Sequence, residues 1–318
     1  MMAITIEIVC VAGKEKVVSV CLEYGIPTGS TGTAISLGIE RGFFREEGID
    51  LSMRAIFGGP EISAAYDSSE LKFGELGTPP AITAIGNGAQ YRMVGSASLR
   101  GVALFFVTHP SIGSWNDLRG QVVGALSLGS CSYWYLRELL TQNQIDPDKD
   151  LTLRPLGTDY PRQLELFGKG EIRGLLSSEP FVSQGELAGT IRCWGSIFEL
   201  ANVPRQQWSV QVANRAFATE EPNMLDAALR AARRSQSYAI ENLDEWADFN
   251  ARTLNLDKTT AKAAIERDLP FLSADGEFDI EGLENVIALQ AKMGAIDRPL
   301  PVSYFTEFGS VRTSESSA

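Results

Sequence analysis

The chain has 318 residues, 44% of them apolar and 21% charged, with 40 acidic residues against 28 basic ones and a net charge of -12. That length suits two cores rather than one, and the acidic balance argues against a nucleic-acid partner, which needs clustered cations. The one histidine, His109, argues against a histidine-based metal centre or hydrolytic triad, the four scattered cysteines lack metal-site spacing, and no apolar run is long enough to span a bilayer. Neither a metal nor an organic cofactor is therefore expected.

From the N-terminus, Ile4 to Val11 is apolar but broken by Glu7 and has no basic leader, so residues 1–15 read as an extension without an export signal. Lys16 to Tyr24 reads as the first core strand. Pro27 to Thr33 is a Gly/Ser/Thr loop opening a helix, and Thr28, Gly29 and Ser30 there either cap the helix or offer hydroxyls and amides to a ligand. The stretch from Leu37 to Gly59 organises the chain. Its helical apolar spacing ends at Gly48, suited to the left-handed conformation, and Ile49, Leu51, Met53 and Ala55 then alternate as a strand ending in Ile56-Phe57-Gly58-Gly59. A helix start at Pro60, a strand over Leu71–Gly77, an apolar helix after Thr78 and strands at Arg92–Ala97 and Gly101–Val107 follow.

Beyond Thr108-His109-Pro110, Ile112 to Gly124 reads as a short helix and turn leading into a strand over Val122–Leu126. Ser127 to Ser132 then opens a helix through Leu140. A strand over Leu151–Leu156, a helix around Gln163–Phe167, a strand at Gly174–Leu176 and the turn Ser178-Glu179-Pro180-Phe181 complete this half. Trp208 to Ala213 reads as a returning strand. Amphipathic helices follow at 223–243, 245–253, 257–264 and 280–293, and residues 310–318 form a polar tail expected to be disordered.

The segment GIERGFFREEGIDL resembles the signature of periplasmic-type (type II) solute-binding proteins of the nitrate/sulfonate/taurine and thiamine-pyrimidine-precursor family. The segment from Ile112 to Gly124, the join from Gly170 to Leu176 and the Glu179-Pro180 turn resemble further family motifs in order, although Arg173 stands where the family usually has Asp. The resemblance spans Val17 to Phe308. It implies an α/β fold of two lobes, each a mixed sheet with helices, with a ligand cleft at the hinge. Lobe 1 would comprise 16–107 and 208–309 with the C-terminal helices, and lobe 2 would comprise 108–207, the chain crossing near His109 and again near Trp208. It also implies a substrate-binding protein that captures a small anionic or nitrogen-containing solute for an ABC permease, located in the periplasm, or in the cytoplasm if the N-terminus carries no signal.

The ligand-binding candidates are Thr28, Gly29, Ser30, Phe57, Gly58, Gly77, Thr78, Ser127, Ser130, Cys131, Ser132, Glu179 and Trp208. Amides and the positive dipole end at Ser127–Ser132 suit an acidic group, although such residues are also ordinary helix caps. Glu179 is either a carboxylate acceptor for a ligand amine or hydroxyl, or a plain turn residue. Two of Phe57, Tyr133, Trp134, Phe181 and Trp208 are expected to sandwich a planar ligand, the others being core. Cys131 is either a reactive thiol at a helix start or a small buried side chain, and pairing with Cys193 would require an oxidising compartment. The alternative function is a cytoplasmic enzyme of synthase, desulfinase or decarboxylase type. Gly77 and Ala81 stand where the family's pyrimidine-precursor synthases need a lysine and a histidine, and Ile26 stands where the desulfinases place a cysteine before proline.

Overall fold

Alternating burial shapes the strands of the first sheet. In Val20–Ile26, Leu22, Tyr24 and Ile26 point into the core while Val20, Cys21 and Glu23 face solvent. The computed structural model describes residues 19–28, 30–125, 131–157 and 159–306. Along them the strands are β1 (Val20–Ile26), β2 (Ile49–Ala55), β3 (Phe73–Gly77), β4 (Tyr91–Ser96), β5 (Phe105–Thr108), β6 (Val122–Ala125), β7 (Thr152–Pro155), β8 (Gly174–Ser177), β9 (Arg192–Ser196) and β10 (Ser209–Asn214). They form two five-stranded mixed sheets, in the orders β2-β1-β3-β10-β4 and β7-β6-β8-β5-β9. The expectations for residues 1–15, Gly29, Ser127, Ser130 and 310–318 lie outside the described residues.

In the first unit, β1 runs parallel to β2, with Tyr24 opposite Met53, and parallel to β3. The returning strand β10 is antiparallel to both β3 and β4. The organising stretch folds as its pattern dictates. The helix Thr33–Glu40 and the short helix Phe43–Glu46 bury Ile35, Leu37, Phe43 and Phe44, and Gly48 takes a φ of 77° before β2 begins. One sheet face buries Leu22, Tyr24 and Phe73 with Ala228, Ala231 and Ala232 of the helix Pro222–Glu241. The other buries Tyr66, Leu76, Val210 and Val212 with Leu283, Val286 and Ile287 of the helix Ile280–Lys292. Each large apolar side chain so buried contributes ~1.5–3 kcal/mol.

The central pair β1–β3 needs its glycines. A Cβ on Gly74 would press on the backbone N and O of Gly25 and on the Tyr66 hydroxyl. That hydroxyl donates to the carbonyls of Gly25 at 3.1 Å and Glu75 at 3.2 Å, so the close approach is locked by a buried phenol. At the far end of β10, Asn214 caps the helix Arg215–Glu220. Its Oδ1 accepts from the amides of Ala216 and Phe217, and its Nδ2 donates to the Tyr66 carbonyl at 2.8 Å. Asn214→Ala is expected to cost about 2 kcal/mol in urea unfolding, the upper range for a lost cap. A loss of a few tenths would show that the cap contributes little.

In the second unit, β6 is parallel to β7 and β8, and β5 is antiparallel to β8 and β9. Phe106, on β5, stacks on Trp115 at 5.1 Å, and Trp115 meets Trp194 of β9 edge-on at 4.8 Å. The Trp194 indole N–H donates to Thr108 Oγ1 at 2.8 Å, and the two half-buried indoles cover the buried Phe106 ring.

Three expectations are corrected. The units divide at Arg100/Gly101 and Gln206/Gln207, not at 107/108 and 207/208, and residues 243–272 belong to the second unit rather than to the first. Arg267, at the end of the helix Lys258–Asp268, is held by Glu179 and Glu186 of the second unit, and Phe271 packs there on Phe105 and Phe198. Amphipathic spacing marks such a helix as half-buried without saying which sheet it covers. His109 accordingly lies inside the second unit, where its ring meets Arg173 and Ser111, and β5 begins only at Phe105 because Gly101–Leu104 is irregular.

Candidate functional site

The parallel strands β1, β2 and β3 end at one edge of the first sheet, the edge where α/β sheets present loops to ligands. The chain leaving β1 is tied down internally. Thr31 Oγ1 donates to the Thr28 carbonyl at 2.9 Å, and the hydroxyls of Thr28 and Ser30 are 3.3 Å apart. These hydroxyls do not cap the following helix. It opens on Gly32, at a φ of 68°, with no side-chain cap hydrogen bond. Thr28 and Ser30 thus lie in this loop, hydrogen-bonded within it and not to the helix.

Phe57 follows β2 and is 67% exposed, unusual for a large aromatic ring. Gly58 has a φ of 103° and donates to the Pro27 carbonyl at 3.4 Å, joining the end of β2 to the end of β1. Gly77 closes β3 against the Pro80 ring, which also faces Gly59. Thr78 is fully buried and its amide donates to the Trp208 carbonyl at 2.9 Å, while its Oγ1 has no partner. The first unit therefore brings together Thr28, Ser30, Phe57, Gly58, Gly77, Thr78 and Trp208 at neighbouring strand ends.

Just behind this edge lies a buried carboxyl within the strand expected over Leu71–Gly77. Glu75, on β3, is 2% exposed, faces Gln211 of β10 in register, and accepts from Ser98 Oγ at 3.4 Å. Burial pushes its carboxyl up to about 7, against smaller downward pulls from Ser209 and Ser98. Tyr24, beside it, receives an N–H from Gln211 at 3.4 Å, and burial together with Glu75 pushes its phenol well up.

In the second unit, the helix Cys131–Gln142 follows β6. Ser132 is buried in its first turn, and the side chain of Cys131 lies outside the described part of the structure. Arg137 donates to the Tyr133 hydroxyl at 3.3 Å and pairs with Asp148, so Tyr133 is held on the helix surface by its own turn. Phe181, one of the five aromatic candidates, is core. It is fully buried and packs on Tyr160 and Phe167.

Glu179 follows β8 and is only 8% exposed, so it is not a surface turn residue. Its Oε2 accepts from the Ser183 amide at 3.0 Å, and its Oε1 accepts from Ser183 Oγ at 2.8 Å and meets Arg267 Nε at 3.2 Å. Arg267 Nη2 also donates to Glu186 at 2.5 Å, and Glu186 accepts from the Cys193 amide at 2.9 Å. Burial raises the Glu179 carboxyl, and hydrogen bonds from Ser183 and the Arg267 charge oppose that rise. Cys193 is a free thiol, pushed up to about 11 by burial and hence poorly nucleophilic. Among the described residues, no group of three or more His, Cys, Asp or Glu is placed to hold a metal, and no helix is long and apolar enough to cross a membrane.

Known structures share this architecture. The periplasmic aliphatic sulphonate binding protein SsuA from Escherichia coli superposes with a TM-score of 0.70 at 18% identity, covering 90% of this chain and 91% of that one. The alkanesulfonate-binding protein SsuA from Xanthomonas axonopodis pv. citri, bound to MOPS, gives 0.67 at 15% identity, covering 89% and 96%. The desulfurization enzyme DszB gives 0.65 at 15% identity, covering 90% and 95%. No curated protein sequence matches the chain. The fold is thus the α/β fold of periplasmic binding proteins, as the resemblance implied. The model of the NMT1-like family matches residues 14–249, well over half of the sequence, and the chain belongs to that family.

Proposed function

We propose that this protein is the substrate-binding component of an ABC-type importer, working in the periplasm, and that it takes a small organic solute at the strand ends of its units. The observation that carries this reading is the edge of the first sheet. An uncapped helix start, an exposed Phe57 and an unpartnered, fully buried Thr78 hydroxyl stand at adjacent strand ends. A ligand with one polar end and one apolar face satisfies all three. The sulfonate-binding relatives support the same reading through their shared fold. Ser127, Ser130, Cys131 and Ser132 remain part of the proposal as contacts from the start of the second unit's long helix. Glu179 enters it as the residue that holds the turn after β8, since its oxygens are engaged by Ser183 and Arg267.

The desulfinase-like reading has less support. Cys21 sits within β1, exposed, five positions before Ile26 at the strand end, and Ile26 itself is where a nucleophile would have to stand. Native mass spectrometry of the freshly purified protein is expected to show a co-purified small molecule that leaves on mild activation, and turnover of that molecule to a product would favour the enzyme instead. With the released ligand in hand, Phe57→Ala is expected to weaken binding about tenfold, the worth of one aromatic stacking contact. Its melting temperature should match the parent's, because so exposed a ring contributes little to the core. Equal affinity in calorimetry would remove Phe57 from the site.

A further inference from the structure

Among the described residues of the second unit, five have a buried polar atom without a hydrogen-bond partner, and three of these atoms, Ser177 Oγ, Arg267 Nη1 and Asp268 Oδ1, belong to residues gathered around Glu179. Ser177, 1% exposed, ends β8 directly opposite Phe105 of β5, and residues paired across an antiparallel ladder point to the same face. The Arg267 guanidinium lies 5.7 Å from the Phe105 ring, which also meets Phe271 edge-on at 6.0 Å. Glu179, just past Ser177 in the chain, holds Arg267 Nε at 3.2 Å. The Ser177 hydroxyl, the guanidinium and the Asp268 carboxyl next to it thus border one region at the strand-end edge of this sheet. Buried polar atoms left unsatisfied cost stability, so the arrangement is one that a ligand improves.

We propose that Ser177, Arg267 and Asp268 form a polar subsite for a neutral planar group that carries a carbonyl acceptor beside an N–H donor, such as a carboxamide, urea or lactam. The donor inventory selects this class. Arg267 has already committed Nε to Glu179 and Nη2 to Glu186, and Nη1 is a donor that needs an acceptor. Asp268 Oδ1 is an acceptor that needs a donor, and Ser177 serves as either. Charge excludes the obvious competitor. The region holds one guanidinium, and Glu179 and Glu186 already claim it, so a sulfonate or carboxylate would bring a negative charge with no free cation to meet it. Burial first and Glu179 second push the Asp268 carboxyl well above the usual range, so it holds its proton more readily and can offer an O–H as well as an acceptor oxygen to an amide. A neutral amide fills both vacant hydrogen-bonding positions without adding charge.

The inference rests on reading the chain as a solute-binding protein, and the test separates the two. Benzamide and benzenesulfonate share a ring and differ in the group offered, and each is added at millimolar concentration in a thermal-shift assay of the full chain. Benzamide is expected to raise the melting temperature and benzenesulfonate to leave it unchanged. Asp268→Leu and Ser177→Ala should abolish the benzamide shift. Because the deleted atoms have no partner in the free protein, both variants should melt at or above the parent temperature. No benzamide effect on the parent, an undiminished shift in either variant, or ligand-free melting well below the parent's would overturn the subsite. A benzenesulfonate shift lost in the same variants would also overturn it, while leaving the solute-binding reading intact. That reading stands or falls on the co-purified molecule.

Discussion

Glu75→Gln is expected to stabilise the protein by about 3 kcal/mol near pH 8 and by almost nothing near pH 4. The carboxyl is enclosed by Tyr24, Ser98, Ser209 and Gln211, and burial lifts it from 4.5 to about 7. Between those two values the folded protein keeps a proton that the unfolded chain has lost. The folded state therefore binds more protons there, and stability falls as pH rises through that window. Below it both states are protonated and above it both are ionised, so the curve is flat on either side. Glutamine matches the protonated acid in size, keeps a carbonyl to accept from Ser98, and cannot ionise, so it removes the slope. Asp268 and Glu179, also raised, add slopes of the same sign to parent and variant alike, and the difference between the two curves isolates Glu75. Urea unfolding across this range is the measurement. Parallel curves for parent and variant would mean that Glu75 titrates as an ordinary exposed glutamate.

Much of the fold was legible because local pattern and tertiary role agree. The stretch from Leu37 to Gly59 carries a helical period, a glycine where φ turns positive and a strand period, and each is where the residues placed it. β9 was not legible. Arg-Cys-Trp-Gly-Ser has no alternation, and the strand is held as an edge by Phe105–Thr108 across a register shift. The sequence marks Glu179 through its neighbouring proline but contains no local sign of Arg267, which arrives on a helix from a distant part of the chain. Glu75 shows the opposite limit. Its position in β3 was readable, whereas its enclosure depends on Ser98, Ser209 and Gln211, which only the returning strand and its neighbour bring to it. Phe181 illustrates why aromatic candidates divide unpredictably. A ring next to a turn at a strand end carries no local mark of whether it faces a ligand or the core, and here Tyr160 and Phe167 claim it.

Arg267→Met is expected to destabilise the protein by ~3–5 kcal/mol near neutral pH, the range for stripping one partner from a buried ion pair. Methionine keeps an unbranched apolar stem, so the loss reports mainly the guanidinium's charge, its hydrogen bonds and its place 5.7 Å from the Phe105 ring. Two carboxylates are left behind. Glu179 keeps its two bonds from Ser183 and Glu186 keeps the Cys193 amide, but neither then has a cation. Without the guanidinium the Glu179 carboxyl should rise further, so the variant holds protons that its unfolded chain releases, and its deficit should shrink as pH falls toward 5. Adding Glu179→Gln to Arg267→Met removes one of the stranded charges and should recover a large part of the loss. A double-mutant cycle on urea unfolding reads this directly, as a coupling energy that separates the pair from its surroundings. If Arg267→Met costs less than ~1 kcal/mol, the pair behaves as an exposed surface bridge. The placement of residues 243–272 against the second unit would then have to be held by apolar contacts such as Phe105 with Phe271, and Phe271→Ala, not Arg267→Met, would be the variant that releases that segment.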